Sequence, residues 1–373
     1  MTADDRRCPS CGRSVRPDDN FCEACRTELA PAAATSDEPG PTASCPTCPD
    51  ANVTEDGFCE SCGRRVPVSR DHIELDLGTL AGVSDRGLRH HQNEDAMAIA
   101  AVQDTDGPVA VAVVCDGVSS SSQPAEASLQ AAQAAMRVLL AAARTGADLL
   151  EASTEAIGEA QKAVTGLAGR LGDSPSATFV SAVLTGEAAT VCWLGDSRAY
   201  WLADEPDGDS QRLTTDDSLA EELVAQGLLD AADAMTSPHA HVVTRWVGAD
   251  AEQGDPHLVT FQPPGPGVLM LCSDGLWNYQ PEAAELARLA LPGARTEPLA
   301  AAVDLVNFAL NAGGHDNVTV VLVPFPPVRP DPAAQPDPAA QPDPAAQPDP
   351  AAQPDPAAQP DPAARSEPPD EPA

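Results

Sequence analysis

Two kinds of side chain in this 373-residue sequence are spaced for chemistry. The first is cysteine. Eight of the eleven cysteines fall before residue 63: Cys8, Cys11, Cys22 and Cys25 in one set, Cys45, Cys48, Cys59 and Cys62 in another. Each set reads Cys-x2-Cys-x10-Cys-x2-Cys, and adding 37 to every position of the first gives the second, so the segment is an internal duplication. A Cys-x-x-Cys knuckle turns tightly enough for both sulfurs to reach one metal ion, and two knuckles complete a tetrahedral thiolate site. Gly12 and Gly63 follow cysteines where the knuckle backbone must turn sharply. Phe21 and Phe58 supply the main apolar cover of modules too small for a core. The spacing therefore predicts two Zn2+ ions, one per set. Four disulfides in a secreted protein are the competing reading, and the N-terminal run MTADDRRCPSCG offers no apolar signal-peptide core for it.

The second kind is the carboxylate. Asp116-Gly117 follows the apolar run Val109–Cys115, Ser273-Asp274-Gly275 follows Val268–Cys272, and His315-Asp316-Asn317 precedes Val318–Val323. Glu94-Asp95 sits in the early segment Asn93-Glu94-Asp95-Ala96. A lone Asp-Gly is an ordinary turn. Several carboxylates at the ends of apolar strands are different, because they repel one another unless something positive lies between them. All-oxygen ligation, with no His cluster or spare Cys pair, suits Mg2+ or Mn2+ rather than zinc. Cys115, Cys192 and Cys272 stand in apolar runs and read as core filler. The serines from Ser119 to Ser122 read as loop.

These residues need elements to position them. Residues 109–115 read as a strand ending in a turn, and Pro124 opens an Ala-rich helix to about residue 143. A second helix is expected over 147–168 and a later one over 298–312. Further strands are expected over 177–184, 190–194, 198–202, 258–261, 268–272 and 318–323. Strands come in adjacent runs and helices in pairs, which predicts an α+β fold with antiparallel sheets rather than a βαβ repeat.

The ordered series Asp85-Arg86-Gly87 with Asn93-Glu94-Asp95, Asp116-Gly117, Gly195-Asp196-Ser197-Arg198, Ser273-Asp274-Gly275 and Asp316-Asn317 resembles the motifs of the metal-dependent Ser/Thr protein phosphatases, the PPM or type 2C family. The resemblance spans about residues 78–323 and implies a sandwich of two antiparallel sheets with helices on both outer faces (α-β-β-α). It implies that Asp116 bridges two Mn2+ or Mg2+ ions, that Glu94 and the Gly117 carbonyl bind one, and that Asp274 and Asp316 bind the other. Asp95 would hold the metal-bound waters. Two dications lower the pKa of a bridging water and neutralise phosphate oxygens, so no nucleophilic Cys or Ser is required. The cysteine segment is similar to the small zinc-ribbon modules common at protein N-termini.

Three positions depart from the family pattern. Where the family has a phosphate-holding Arg, four residues before the Glu, this chain has His90, with Arg89 displaced by one. Phosphate contact therefore falls to His90 or Arg89. Val118 stands where some members place a general-acid His. A third ion, held in bacterial members by three carboxylates, would here meet Asp196, Asp274 and the neutral Asn278, and would bind weakly. Residues 216–245 match the mobile flap of bacterial members, and His239 and His241 there are expected to be flap surface rather than ligands.

The expected organisation is a zinc ribbon over 6–29, a linker over 30–44, a second ribbon over 45–66, the phosphatase domain over 73–323 and a disordered tail over 324–373. The tail carries five copies of Pro-Asp-Pro-Ala-Ala-Gln and a sixth ending in Arg, with no apolar residue larger than Ala in them to offset the entropy of ordering. The chain has 21 Lys+Arg against 57 Asp+Glu. Residues 71–323 hold 11 and 36 of these, a net charge of −25, and residues 1–70 hold 8 and 12, a net charge of −4. No segment offers the basic stripe that nucleic acid or anionic lipid requires, and aromatics amount to only 3%, too few to stack on bases. The longest uncharged apolar run is too short to span a bilayer. The expectation is a cytoplasmic enzyme that dephosphorylates phosphoserine and phosphothreonine proteins and opposes a Ser/Thr kinase. A catalytically weak scaffold docked through its zinc ribbons is the alternative, and the complete carboxylate set argues for the enzyme.

Overall fold

The computed structural model describes residues 69–326, apart from 105–106, 170–173, 206–207, 252–253 and 292, together with residue 61 and the pieces 6–7, 14–15 and 33–35. Every expected zinc ligand lies outside the described residues: Cys8, Cys11, Cys22 and Cys25 of the first set, and Cys45, Cys48, Cys59 and Cys62 of the second. The chain divides into Met1–Pro330 and Asp331–Ala373, and the second unit falls wholly outside them.

In chain order, β1 (Arg6–Arg7) pairs with β2 (Ser14–Val15), and β3 is Ala33–Thr35. Then come β4 (His72–Asp76), β5 (Ala81–Asp85), β6 (Asp95–Asp104) and β7 (Gly107–Asp116). Helix α1 (Pro124–Thr145) opens on proline and stops at Gly146, whose φ of 64° suits a residue without Cβ. Helix α2 (Leu149–Thr165) starts where the Asp148 carboxylate accepts from the Leu150 and Glu151 amides. Next are β8 (Ser176–Ala177), β9 (Phe179–Leu184), β10 (Ala189–Leu194), β11 (Arg198–Ala203) and β12 (Gln211–Arg212). The chain continues through α3 (Leu219–Ala225), β13 (Val247–Gly248), β14 (His257–Phe261) and β15 (Gly267–Cys272). It ends with α4 (Asp274–Trp277), α5 (Ala283–Ala290), α6 (Pro298–Ala312) and β16 (Val318–Phe325).

Two six-stranded sheets result, in the orders β14-β10-β9-β7-β6-β3 and β12-β11-β15-β16-β5-β4, antiparallel throughout. Period-two alternation sorts their side chains. Val109, Val111, Val113 and Cys115 of β7 lie under α1 and α2. The intervening Ala110, Ala112 and Val114 face inward to meet Leu269 and Leu271 of β15 and Val321 and Val323 of β16. On the far side, Met270, Cys272, Val320 and Leu322 pack beneath α5 and α6. The layers are helix, sheet, sheet, helix, as expected. Strands β7, β15 and β16 are apolar on both faces because each is covered twice.

Two boundaries shift. Residues 33–35, inside the expected linker, form the edge strand β3, pairing Ala33 with Ala100, Ala34 with Ile99 and Thr35 with Ala98. The edge of β6 presents unpaired amides and carbonyls, and an Ala/Thr segment free of proline can satisfy them. At the other end, β16 runs past residue 323, pairing Pro324 with Val268 and Phe325 with Gly267. The Phe325 ring meets Trp201 edge-on at 6.1 Å, which gives this extension an apolar anchor.

Candidate active site

The carboxylates converge because both sheets end at the same place. In the β6–β7 hairpin, Asp95 opens one strand, Asp116 closes the other, and the two are register partners. The Gly117 amide donates to the Glu94 carbonyl at 3.1 Å. A Cβ on Gly117 would lie 2.4 Å from the Pro124 carbonyl oxygen, so only glycine lets α1 start this close. In the second sheet Asp274 follows β15 and Asp316 precedes β16. A Cβ on Gly275 would lie 1.9 Å from the Asn317 carbonyl oxygen.

Asn317 joins the halves. Its Oδ1 accepts from the Glu94 amide at 2.8 Å, and its Nδ2 donates to the carbonyls of Arg86 (2.7 Å) and Gln92 (3.1 Å). Gly87, at φ 72°, lies against the Asp316 backbone, seating the Asp85-Arg86-Gly87 turn on the same junction. Asp196 reaches the cluster from the β10–β11 turn, where Trp277 Nε1 donates to its carbonyl at 2.9 Å.

Burial and mutual charge dominate the electrostatics. Asp95 is 1% exposed, and desolvation pushes its carboxyl up to about 7, with Asp316 adding repulsion and the hydroxyls of Ser273 and Thr319 pulling back. Asp116 is held well above the usual carboxylate range by burial, then by Asp95, Asp274, Asp316 and Asp196. Burial likewise raises Asp274, with repulsion from Asp196, Asp316 and Asp95. Asp196 is pushed up to about 7 by burial and by Asp216, against the pull of Arg198.

Of the two candidates for phosphate contact, the structure brings His90 to the carboxylates. Its Nε2 lies 3.2 Å from Asp316 and its Nδ1 3.8 Å from Glu94. Arg89 is exposed. Ser119, read from sequence as loop, donates to Glu94 Oε2 at 2.5 Å. His239 and His241 are exposed on the flap segment, and His241 stacks against Trp277 at 5.9 Å. Asn278 Nδ2 donates to Asp274 Oδ2 at 3.1 Å. Cys115, Cys192 and Cys272 are free and buried, and burial raises all three thiols, Cys192 to about 12. That leaves them unreactive core residues.

Does this donor set suit a divalent ion? Among the described residues, no three His, Cys, Asp or Glu side chains are already gathered as a cage. The chemistry nevertheless fits hard cations. The donors are carboxylate oxygens, their crowding raises their affinity for positive charge, and Asp95 Oδ1 and Asp274 Oδ1 are buried with no hydrogen-bond partner.

A family model described as protein phosphatase 2C matches residues 87–296, and one described as double zinc ribbon matches residues 8–63, the span from Cys8 through Cys62. Asp316 and β16 lie beyond the phosphatase match. The serine/threonine phosphatase stp of Listeria innocua is 31% identical over 249 residues, 64% of this chain and 93% of that protein. Among solved structures, the PPM Ser-Thr phosphatase MsPP of Mycobacterium smegmatis, crystallised with cacodylate, matches with a TM-score of 0.50 and 29% identity, over 65% of this chain and 97% of that one. The serine/threonine phosphatase PstP/Ppp of Mycobacterium tuberculosis matches with a TM-score of 0.52 and 26% identity, over 67% and 98%.

Proposed function

Because the chain belongs to the protein phosphatase 2C family and is a protein serine/threonine phosphatase with an N-terminal double zinc ribbon, we propose that it acts on phosphoserine and phosphothreonine proteins with two Mn2+ or Mg2+ ions, in opposition to a Ser/Thr kinase. The observation that carries this reading is the gathering of Asp95, Asp116, Asp274 and Asp316 at one junction of both sheets, where burial and like charge raise the first three.

In this reading Asp116, at the junction, would be shared by the two ions, with Glu94 and the Gly117 carbonyl holding one and Asp274 and Asp316 the other. Asp196, with Asp274 and the neutral Asn278, would hold a third ion weakly. Asp95 would orient water from behind. When bound, the ions supply water activation at neutral pH and neutralise phosphate oxygens. The chain's own residues orient and admit the substrate. Asn317 fixes Glu94 against the 86–92 loop, and His90 offers a ring N–H to a phosphate oxygen at the mouth of the site. Buried thiols take no part.

In the N-terminal segment, Cys8, Cys11, Cys22 and Cys25 would hold one Zn2+, and Cys45, Cys48, Cys59 and Cys62 a second. The ribbons would dock or regulate substrate proteins. Among the described residues no helix is long and apolar enough to cross a membrane, and we place the protein in the cytoplasm. The test is phosphate release from a phosphothreonine peptide with and without Mn2+, for the native chain and for Asp274→Asn. Release that needs Mn2+ and disappears in the variant supports the assignment. No release under any metal condition would leave the ribbon-anchored scaffold as the better reading.

A further inference from the structure

Behind Asp95 lies a group of buried hydroxyls that the metal reading does not use. Asn93 Nδ2 is 2.8 Å from Ser84 Oγ, Ser84 Oγ is 2.7 Å from Thr319 Oγ1, and Thr319 Oγ1 is 2.7 Å from Asp95 Oδ2. Ser273 Oγ is also 2.7 Å from Asp95 Oδ2 and accepts from the Thr319 amide at 2.9 Å. Ser84, Ser273 and Thr319 are fully buried, and Asn93 is 2% exposed.

The direction of every bond in this group follows from chemistry. A backbone N–H can only donate, so the Asp95 amide, 3.2 Å from Asn93 Oδ1, fixes which end of the Asn93 amide is oxygen. Asn93 Nδ2 must then donate to Ser84. As a carboxylate Asp95 can only accept, so Thr319 and Ser273 both send their protons to it, and Thr319, its one proton spent, accepts from Ser84. The circuit leaves residue 95 at its amide and returns to it at Oδ2, crossing β5, β6, the end of β15 and β16. Oδ2 thereby receives two hydroxyl donors, while Oδ1 is buried and receives no donor among the described residues, with the Asp116 carboxyl within reach of the same Asp95 side chain.

We propose that Ser84, Thr319 and Ser273 are positioning residues that saturate Asp95 Oδ2 and so reserve Oδ1 as the single oxygen Asp95 presents to the reaction. The inference rests on the reading of Asp95 as part of the reaction centre. It assigns a function to two hydroxyls, Ser84 and Thr319, that lie within otherwise apolar strand runs and bond to each other, to Asn93 and to Asp95. A lone buried Thr in a Val-rich strand would serve packing no better than Val; here its hydroxyl has one acceptor and one donor, both specified.

The test uses the full chain and four substitutions. Thr319→Val keeps the shape and removes the hydroxyl; it is expected to lower kcat roughly ten- to hundredfold, as loss of a ligand-orienting partner does, with KM unchanged. Thr319→Ser restores the hydroxyl and is expected to restore most of kcat. Ser84→Ala, one link further back, should lower kcat less than Thr319→Val. The decisive comparison is made in Asp95→Ala: if Thr319 acts through Asp95, adding Thr319→Val there changes kcat no further. The Mn2+ dissociation constant of Thr319→Val, measured by calorimetry, should stay within about twofold of the native value, because the hydroxyls face Oδ2 and not the ions. An equal kcat loss from Thr319→Val in native and Asp95→Ala backgrounds would overturn the proposal, as would a Thr319→Ser variant as impaired as Thr319→Val. If Asp95→Ala by itself turns over normally, the placing of Asp95 in the reaction centre fails first. Should Thr319→Val not fold, Ser84→Ala, made in the native and the Asp95→Ala backgrounds, carries the same comparison.

Discussion

Asp274 is a carboxylate that is costly to the fold and, on the proposed assignment, necessary to the site. Burial and three neighbouring aspartates hold its carboxyl well above the usual range. On the proposed assignment, Asp274→Asn removes a repelling charge and a charged ion ligand together. Phosphate release at saturating Mn2+ should be lost, while the melting temperature of the metal-free protein holds or rises. Normal turnover in that variant contradicts the assignment. The same crowding sets a pH dependence. Asp95 and Asp196 are raised from 3.8 to about 7 in the fold. Between those values the metal-free fold keeps protons that the unfolded chain has released, so its stability falls as pH rises through that window. On the proposed ion assignment Mn2+ would relieve this at the upper end, and the rise in melting temperature on adding Mn2+ should be larger at pH 7.5 than at pH 5. A larger rise at pH 5 would count against a carboxylate ion site. The convergence of the motif carboxylates was legible in the sequence, since each stands at the end of an apolar run. Which of His90 and Arg89 faces them was not, because adjacent residues in a turn point in different directions and spacing cannot say which turns inward. With His90 3.2 Å from Asp316, His90→Ala should raise KM for a phosphopeptide well above the effect of Arg89→Ala.

Strands β7, β15 and β16 could be read directly, because burial on both faces leaves nearly unbroken apolar runs. Strands β4 to β6 could not. Strand β4 reads His-Ile-Glu-Leu-Asp with one buried residue, β5 carries Ser84 and ends on Asp85, and β6 opens on the buried Asp95. Their polar residues do the work of the site and its edge, and so break the pattern that announces a strand. His72 on β4 illustrates this. Its Nδ1 lies 2.7 Å from Asp85 on the neighbouring strand and its Nε2 3.1 Å from Glu74, and the hydrogen bond to Asp85 is the main cause that raises its pKa to about 9. The stabilisation is fully present below about 6.5, the unfolded value, and is lost as pH rises through about 9. The side chain is 47% exposed, so solvent screens the effect to a small one. His72→Ala should flatten the decline in melting temperature between pH 7 and 9.5; an unchanged slope would show that the pair contributes nothing. At the opposite sheet edge, Ala34→Pro removes an amide from β3. Hydrogen exchange across residues 98–100 should quicken, and unchanged exchange would mean that the β3 pairing does not protect β6.

At the scale of the whole molecule, the duplicated cysteine spacing and the phosphatase motifs share no residue. The double zinc ribbon match ends at residue 63, and the phosphatase 2C match begins at 87. Thiolate sites hold zinc with roughly 10–16 kcal/mol in small fingers, whereas oxygen sites release Mn2+ or Mg2+ far more readily. The full-length protein purified without chelator should therefore contain about two zinc atoms per chain, one for each four-cysteine set. Replacing Cys11 and Cys25 with serine should remove about one of them and leave the second set, with Cys48 and Cys62, loaded. Strand β3 gives the inter-ribbon segment a place on the phosphatase sheet, something its Ala/Pro/Ser composition did not announce, because edge pairing needs only extended backbone. The net charge of −25 on residues 71–323 carries no information about catalysis by itself. Its meaning comes from where a handful of those carboxylates meet. The most direct test is phosphate release from a phosphothreonine peptide by the full-length protein, stripped of divalent metal and then titrated with Mn2+. Release should be absent in the stripped protein, return with added Mn2+, and stay absent in Asp274→Asn at every Mn2+ concentration. Undiminished release by the stripped protein, or by Asp274→Asn, would contradict the assignment of the Asp95, Asp116, Asp274 and Asp316 junction as the metal-dependent reaction centre.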